Sequence, residues 1–99
     1  MLTRIVKMTF KPEVCDDFLA IFEKYKHEIR GAEGCTHLEL LRLHRGGNIF
    51  FTYSKWNSEA HLNQYRDSAT FAVVWPQTKA LFAAPAEAWT VDDLNVFKP

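Results

Sequence analysis

The chain has 99 residues, of which 47% are hydrophobic and 14% aromatic, with only four glycines and four prolines. Folding of a chain this long can hide roughly 65% of its unfolded surface, so one domain over residues 1–99 can form a core, and the composition excludes disordered and collagen-like proteins. Twelve basic and twelve acidic side chains cancel, which leaves no positive excess for a nucleic-acid partner.

No apolar run approaches the roughly 18 residues that a membrane-spanning helix needs, and the first residues lack the apolar stretch of a signal peptide. We therefore expect a cytoplasmic protein that binds neither membranes nor nucleic acid.

The two cysteines, Cys15 and Cys35, are too few for a disulfide scaffold, and we expect two reduced, half-buried thiols.

The first predicted elements are a strand over residues 2–10 and a helix over residues 13–30. Apolar side chains of the strand share one parity, that is, they lie at alternate positions and so on the same face. This predicts one apolar face, formed by Leu2, Val6, Met8 and Phe10. The helix has apolar residues at the i, i+3, i+4 spacing of an amphipathic helix. Pro12 suits its first turn, and Gly31 and Gly34 end it.

Strands are next predicted over residues 35–44 and 48–56. Residues 45–47, Arg-Gly-Gly, form a hairpin turn between them, so these strands pair antiparallel. Ser58 is the expected N-cap of a short helix through Tyr65, and Ser68 is the expected cap of a second helical segment to about Ala83. Pro76 lies inside that segment and should kink or break it, because proline has no amide donor.

Residues 87–97 form the last predicted strand, in which Asp92 and Asp93 are expected at a bulge. The predicted order is therefore β-α-β-β-α-β. This order predicts an α+β, ferredoxin-like fold, in which an antiparallel four-stranded sheet carries its helices on one face.

Large apolar residues occur on both parities of the two central predicted strands. Phe50 and Phe51 are adjacent on one strand, as are Leu40 and Leu41 on the other. Both faces of the sheet therefore need a cover, whereas the helices can cover only one. A second copy of the sheet would cover the other face, which predicts a symmetric homodimer.

Conventional catalytic motifs are absent from the sequence: it has no phosphate-binding glycine loop, no nucleophile elbow and no zinc signature. The four histidines lie on different predicted elements, so we expect no metal site. By parity, His37 shares a face with Cys35, Glu39 and Leu41, and it is either a hydrogen-bonded structural residue or a catalytic base. Glu39 is expected to pair with a basic strand residue such as Arg4 or Arg42.

Aromatic residues are concentrated between positions 50 and 75. Seven occur there: Phe50, Phe51, Tyr53, Trp56, Tyr65, Phe71 and Trp75. Each ring taken alone can be explained by core packing. Because tyrosine and tryptophan carry polar groups that need partners when buried, the cluster as a whole favours a pocket for a flat aromatic ligand.

Over about residues 2–90 the sequence resembles the antibiotic biosynthesis monooxygenase family, which includes quinol monooxygenase-like proteins. The resemblance lies in Gly34-Cys35, residues 39–42 (ELLR), residues 48–56 (NIFFTYSKW), residues 58–60 (SEA), Tyr65, Ser68 and Phe71. It implies a dimeric α+β barrel, in which two ferredoxin-like sheets lie face to face.

The resemblance also implies a monooxygenase that oxidises an aromatic, polyphenol or quinol-like small molecule with O₂ and without flavin, metal or haem. Trp56 matches the family's strand-end tryptophan, which lines the active cavity. The candidate catalytic residues are Trp56, His37 and Tyr65. His37 or Tyr65 would accept or relay the phenolic proton, and neither of these two belongs to a catalytic motif of the family. The implied substrate-binding residues are Tyr53, Phe50, Phe71 and Trp75.

Three positions depart from the patterns of relatives. Thr70 stands where relatives often have a histidine, which leaves the acid–base residue open. Trp75 and Val6 replace the axial histidine and the asparagine of haem-degrading relatives, which argues against haem degradation. A non-catalytic dimeric protein that binds a small molecule or acts in stress is the main alternative. A sugar isomerase or mutarotase is disfavoured, because the predicted cavity has many rings and few charges.

Overall fold

A four-stranded antiparallel sheet in the order β2-β3-β1-β4 forms the framework of the computed structural model, which describes residues 1–97. The elements are β1 (Leu2–Thr9), α1 (Cys15–Arg30), β2 (Cys35–Arg42), β3 (Ile49–Trp56), α2 (Glu59–Arg66), α3 (Ala69–Lys79) and β4 (Glu87–Asp92). A short 3-10 turn, Pro12–Val14, leads into α1. This architecture confirms the predicted α+β, ferredoxin-like fold.

Local signals in the sequence account for several element boundaries. The Ser58 hydroxyl accepts a hydrogen bond from the His61 amide at 3.2 Å, and the Ser68 hydroxyl accepts one from the Phe71 amide at 3.2 Å. Both predicted N-caps are therefore confirmed. The turn between β2 and β3 uses positive φ angles at Arg45 and Gly46, and these two strands pair antiparallel as predicted.

The last two elements differ from their predictions. Helix α3 continues through Pro76 and ends at Lys79, so the expected break, and the extension to Ala83, were wrong. The carbonyl that Pro76 cannot bond belongs to exposed Ala72, where water can replace the missing donor. Strand β4 ends at Asp92 instead of Phe97.

Asp93 follows the last residue of β4, and its carboxylate binds two side chains of the sheet. It accepts hydrogen bonds from the Thr3 hydroxyl and from the Lys55 ammonium, the latter at 3.2 Å. These bonds also lower the pKa of Asp93, the bond from Thr3 having the largest effect. The sequence had predicted a bulge at this point; the structure has the end of the strand.

The hydrophobic core lies between the helices and one face of the sheet, which we call the helix side. A larger cluster comprises Met8, Phe10, Cys15, Phe18 and Phe50, and a smaller one comprises Cys35, Trp56 and Leu62. The predicted apolar parity of β1 faces this core. Both cysteines are free, as predicted, but they are buried rather than half-buried, and they lie in separate clusters.

The opposite face, which we call the open sheet face, carries the other parity of each strand. Ile5 in the middle of β1 is opposite Tyr53 on one neighbouring strand and Trp89 on the other. Leu41 and Trp89 remain 43% and 46% exposed in the single chain. The helices thus cover only one face, and a large apolar surface stays accessible on the other.

Among residues 1–97, no helix is both long enough and apolar enough to cross a membrane. The cytoplasmic location stays a prediction.

Candidate functional site

A cavity of about 290 Å³ lies between the helix side of the sheet and the helices. Side chains of the sheet that line it include Arg4, Val6, Leu38, Thr52, Ser54 and Trp56, and those of the helices include Phe22, Ile29, Tyr65, Phe71, Val74 and Trp75. The lining is mainly apolar and contains a few polar groups. This combination is typical of sites that bind small organic molecules.

Four predicted site residues form a continuous aromatic wall of this cavity. The Trp56 and Tyr65 rings stack with their centroids 5.3 Å apart, and the Tyr65 ring meets Phe71 edge-on at 5.4 Å. Phe71 and Trp75, one helical turn apart on α3, stack at 5.7 Å with only 10° between their planes. Residues at i and i+4 lie on the same helix face, so α3 presents both rings to the cavity.

Trp56 is held by its own strand. Its side chain is only 1% exposed, and its indole N–H donates a hydrogen bond to the Ser54 hydroxyl at 2.9 Å. Residues at i and i+2 on a strand share a face, which makes this bond possible. Because Ser54 takes the indole donor, Trp56 offers a ligand the surface of its ring.

Tyr65 is the ionisable group of the aromatic wall. Burial, with a smaller effect from Cys35, raises the pKa of Tyr65 to about 12. Its hydroxyl therefore stays protonated at neutral pH and can donate a hydrogen bond to a ligand. That Tyr65 accepts or relays a phenolic proton stays a prediction.

Phe50 lies outside the cavity lining. Its ring is 1% exposed and packs within the larger core cluster, with centroids 5.6 Å from Phe10 and 5.2 Å from Phe18. These are edge-on contacts of ordinary core packing. In this structure its contribution to the cavity is to support the residues around it.

His37 and Tyr53 lie on the open sheet face, on the other side of the sheet from the cavity. Their rings meet edge-on with centroids 6.1 Å apart, and His37 Nε2 contacts a carboxylate oxygen of Glu39. The predicted pairing of Glu39 with Arg4 or Arg42 was therefore wrong. In a single chain neither ring can reach a ligand in the cavity.

The shared face predicted for Cys35 and His37 was also wrong. The β2–β3 register shifts between them, so Cys35 is opposite Trp56 whereas His37 is opposite Lys55. Such an irregularity inserts one residue and reverses the alternation of side chains that precede it. Cys35 consequently packs beside Trp56 in the smaller core cluster, where burial raises the pKa of its thiol.

Two arginines of the lining, Arg4 and Arg66, were not identified as site residues from the sequence. Arg4 lies on β1 and its Nη1 donates to the Thr90 hydroxyl at 2.8 Å. Burial and the charge of Arg66 both lower the pKa of Arg4. The sequence could have indicated Arg4, since it is the one charged residue among the alternate positions of β1 that are otherwise apolar. It gave no such indication for Arg66, because a basic residue in the last turn of a helix is common.

The residues described by the structure contain no group of three or more histidine, cysteine, aspartate or glutamate side chains close enough to hold a metal ion. The polar residues of the cavity lining are Arg4, Thr52, Ser54, Tyr65, Arg66 and Thr78, and its rings are those of the aromatic wall together with Phe18 and Phe22.

Solved structures similar to this chain share its fold. A protein described as an antibiotic biosynthesis monooxygenase is 20% identical, with a TM-score of 0.89 over 96% of this chain and 100% of that one. Rv0793 from Mycobacterium tuberculosis is 16% identical, with a TM-score of 0.88 over 98% of both chains. A conserved protein from Methanosarcina mazei Go1 is 22% identical, with a TM-score of 0.85 over 92% of this chain and 91% of that one.

At these low sequence identities, the similarity to solved structures establishes only the fold of this chain. No curated protein matches the sequence. The family model described as antibiotic biosynthesis monooxygenase matches residues 1–74, a range that includes β1, β3, α2 and most of the aromatic wall. The chain therefore belongs to the antibiotic biosynthesis monooxygenase family.

Proposed function

We propose that this protein is a monooxygenase that uses O₂ to oxidise an electron-rich aromatic small molecule, such as a polyphenol, a quinol or an anthrone, without a cofactor. Family membership supports the reaction class. The observation that supports the substrate class is the aromatic wall, in which four rings line one side of a mainly apolar cavity. Trp56, Tyr65, Phe71 and Trp75 are the proposed site residues.

The chemistry of such a substrate explains why no cofactor is required. A deprotonated electron-rich phenol can pass electrons to O₂ itself. In the oxidation of an anthrone methylene to a carbonyl, one oxygen atom of O₂ enters the product, and the other leaves as water with the two hydrogens of the methylene. The substrate supplies all four electrons that reduce O₂ in this balance, so no external reductant is needed.

The proposed task of the protein is positioning and shielding. The stacked rings of Phe71 and Trp75 would hold a flat substrate, and the Tyr65 hydroxyl would donate a hydrogen bond to its oxygen. The apolar lining would keep water from the reactive intermediate. Trp56 would close the sheet side of the cavity.

The proposal includes a homodimer in which two open sheet faces meet. Ile5, Tyr53 and Trp89 form one apolar row across three strands of this face, and monomeric proteins rarely expose surfaces of this kind. A two-fold arrangement would let each copy cover the other.

Oxygen uptake by metal-stripped, flavin-free protein tests the proposed reaction. A panel of hydroquinones and anthrones is supplied, and autoxidation without protein is subtracted. We expect protein-dependent uptake that falls at least tenfold in Trp75→Leu, because the ring that stacks on the substrate is lost. Val73→Ala is the matched control, since Val73 is on the same helix but 46% exposed. Uptake that Trp75→Leu leaves unchanged would contradict the site.

The non-catalytic alternative is favoured by one observation. Within the described residues, the lining of the cavity contains no histidine, aspartate or glutamate, so no ordinary side-chain base reaches a bound phenol. A protein that only binds an aromatic molecule needs no base. Tight binding of panel compounds without any oxygen uptake would support this second function.

A further inference from the structure

Arg4 and Arg66 bring two positive charges to one cavity from different elements. Arg4 lies on the sheet and Arg66 at the end of α2, and both line the cavity. They are close enough for the charge of Arg66 to lower the pKa of Arg4. Apart from these two arginines, the described lining contains no charged residue.

Within residues 1–97, the ion pairs involve other residues, so neither guanidinium lies within 4.0 Å of a carboxylate. The side-chain hydrogen bond of Arg4 goes to Thr90, a neutral hydroxyl. Arg4 is half-buried and Arg66 is exposed. Two like charges that line an apolar cavity, with no carboxylate of residues 1–97 within 4.0 Å of either guanidinium, would attract an anion.

Guanidinium groups bind oxyanions. Their planar donors match the oxygens of a carboxylate or a phosphate, and hydrogen bonds to an ionised oxygen are about twice as strong as those between neutral groups. The aromatic wall, one side of the same cavity, would take the ring of the ligand. The two arginines would thus bind the charged group of a ligand, and the aromatic wall would bind the ring of the same ligand.

We propose that the ligand of this cavity is a flat aromatic anion, whose carboxylate or phenolate oxygen lies against Arg4 and Arg66 while its ring packs on Phe71 and Trp75. The inference rests on the proposed function, because it assigns the substrate class of the same site. It also explains how a phenol could ionise in a cavity whose described lining contains no histidine, aspartate or glutamate. Guanidinium groups would favour the ionised form of the phenol, so the phenol could lose its proton to water without a side-chain base.

Isothermal titration at neutral pH and low salt tests this inference directly. The probes are 2-naphthoate and 2-naphthamide, which have similar size and differ in charge. We expect 2-naphthoate to bind at least tenfold more tightly. Arg4→Gln and Arg66→Gln should each weaken its binding about tenfold to a hundredfold, and should change the binding of 2-naphthamide less than twofold.

Arg45→Gln is the matched control, because it removes the same charge from the exposed turn between β2 and β3. It should bind both probes like the unchanged protein. Circular dichroism of each variant checks that it is folded. Equal binding of the two probes, binding of neither probe, or arginine variants that bind 2-naphthoate normally would overturn the inference.

A third probe separates the two sources of the anion. If the site takes a phenolate, the absorption band of ionised 2-naphthol should appear at lower pH with the protein than without it, and the shift should disappear in Arg4→Gln. If it takes a carboxylate, 2-naphthoate binds and the band does not shift. Both results agree with the inference and name the oxygen that is recognised.

The failure of this inference can be told apart from that of the proposed function. Charge-dependent binding of 2-naphthoate with no oxygen uptake by any panel compound contradicts only the oxygenase. Oxygen uptake from neutral quinols at an unchanged rate in Arg4→Gln and Arg66→Gln contradicts only the anion site.

Discussion

The indole N–H of Trp56 donates to the hydroxyl of Ser54 at 2.9 Å, and both side chains are buried on the helix side of β3. The bond fixes the indole plane against Tyr65, whose ring stacks on it. One short polar residue therefore orients the first ring of the aromatic wall. Its contribution to stability can be measured separately from the packing of the ring.

Ser54→Ala should lower the free energy of unfolding by about 1–2 kcal/mol, because it leaves the buried indole donor unpaired. Trp56→Phe should cost about 2–4 kcal/mol, because it also leaves a gap in the core. The double variant should cost less than the sum of the two, since the same bond is lost once. Urea unfolding measures all three, and strictly additive losses would show that the bond contributes nothing.

The raised pKa of Tyr65 predicts a loss of stability at alkaline pH. The folded chain holds the phenolic proton up to a pKa of about 12, whereas the unfolded chain releases it near the ordinary tyrosine pKa of 10.0. Between these values the unfolded state binds fewer protons, so stability falls as pH rises. Relative to Tyr65→Phe, the free energy of unfolding should fall by about 1.3 kcal/mol between pH 9 and pH 11.

Urea unfolding of the protein and of Tyr65→Phe at both pH values measures this difference. The other tyrosines are present in both proteins and cancel in the comparison. Parallel pH profiles would mean that Tyr65 ionises as freely in the folded chain as in the unfolded one.

Two glycines with positive φ should respond differently to alanine. Gly34 has φ +83°, and a Cβ there would overlap Cγ of His61; Gly46 has φ +74°, with open space around it. Gly46→Ala should cost about 1 kcal/mol from backbone strain alone. Gly34→Ala should cost at least about 2 kcal/mol more, because the ring of His61 must also move. Thermal or urea unfolding compares them, and equal losses would rule out the close packing of His61 on Gly34.

Charge on the open sheet face should disrupt the proposed homodimer. Trp89→Lys places an ammonium group in the middle of the apolar row with Ile5 and Tyr53, where a partner sheet would bury it. Sedimentation at micromolar concentration should give about twice the chain mass for the unchanged protein and a single chain for Trp89→Lys.

Val73→Lys is the control for this experiment. Val73 is also 46% exposed in the single chain, but it lies on α3, away from the sheet. It should leave the dimer intact. A monomeric unchanged protein would refute the proposed dimer, and equal dissociation of both variants would place the interface elsewhere.

Much of the architecture was predictable because the signals are local. Alternation identified the face of β1 that enters the core, and Ser58 and Ser68 marked the starts of α2 and α3. Such reasoning failed where the folded surroundings decide. Strand β4 ends where Asp93 binds Thr3 and Lys55, which are distant in sequence. Helix α3 passes Pro76 because the freed carbonyl of Ala72 lies at an exposed position.

The candidate site shows the same division. An aromatic cluster was visible in the sequence, but composition could not separate rings of the cavity wall, such as Trp75, from core rings such as Phe50. Parity could not assign Tyr53 or His37 to the open sheet face either. Alternation shows that a strand has two faces, and one inserted residue between Cys35 and His37 reverses which face each side chain takes.

The sequence by itself determined the order of the elements, the antiparallel hairpin, the helix caps and the family, since each depends on residues close together in the chain or on their spacing. The tertiary structure alone decided which rings share a cavity and that Arg4 and Arg66 both line it. These two arginines are 62 positions apart and come to one cavity only when α2 packs over the sheet. Charges that meet across such a distance leave no local pattern, because their proximity is created by the fold.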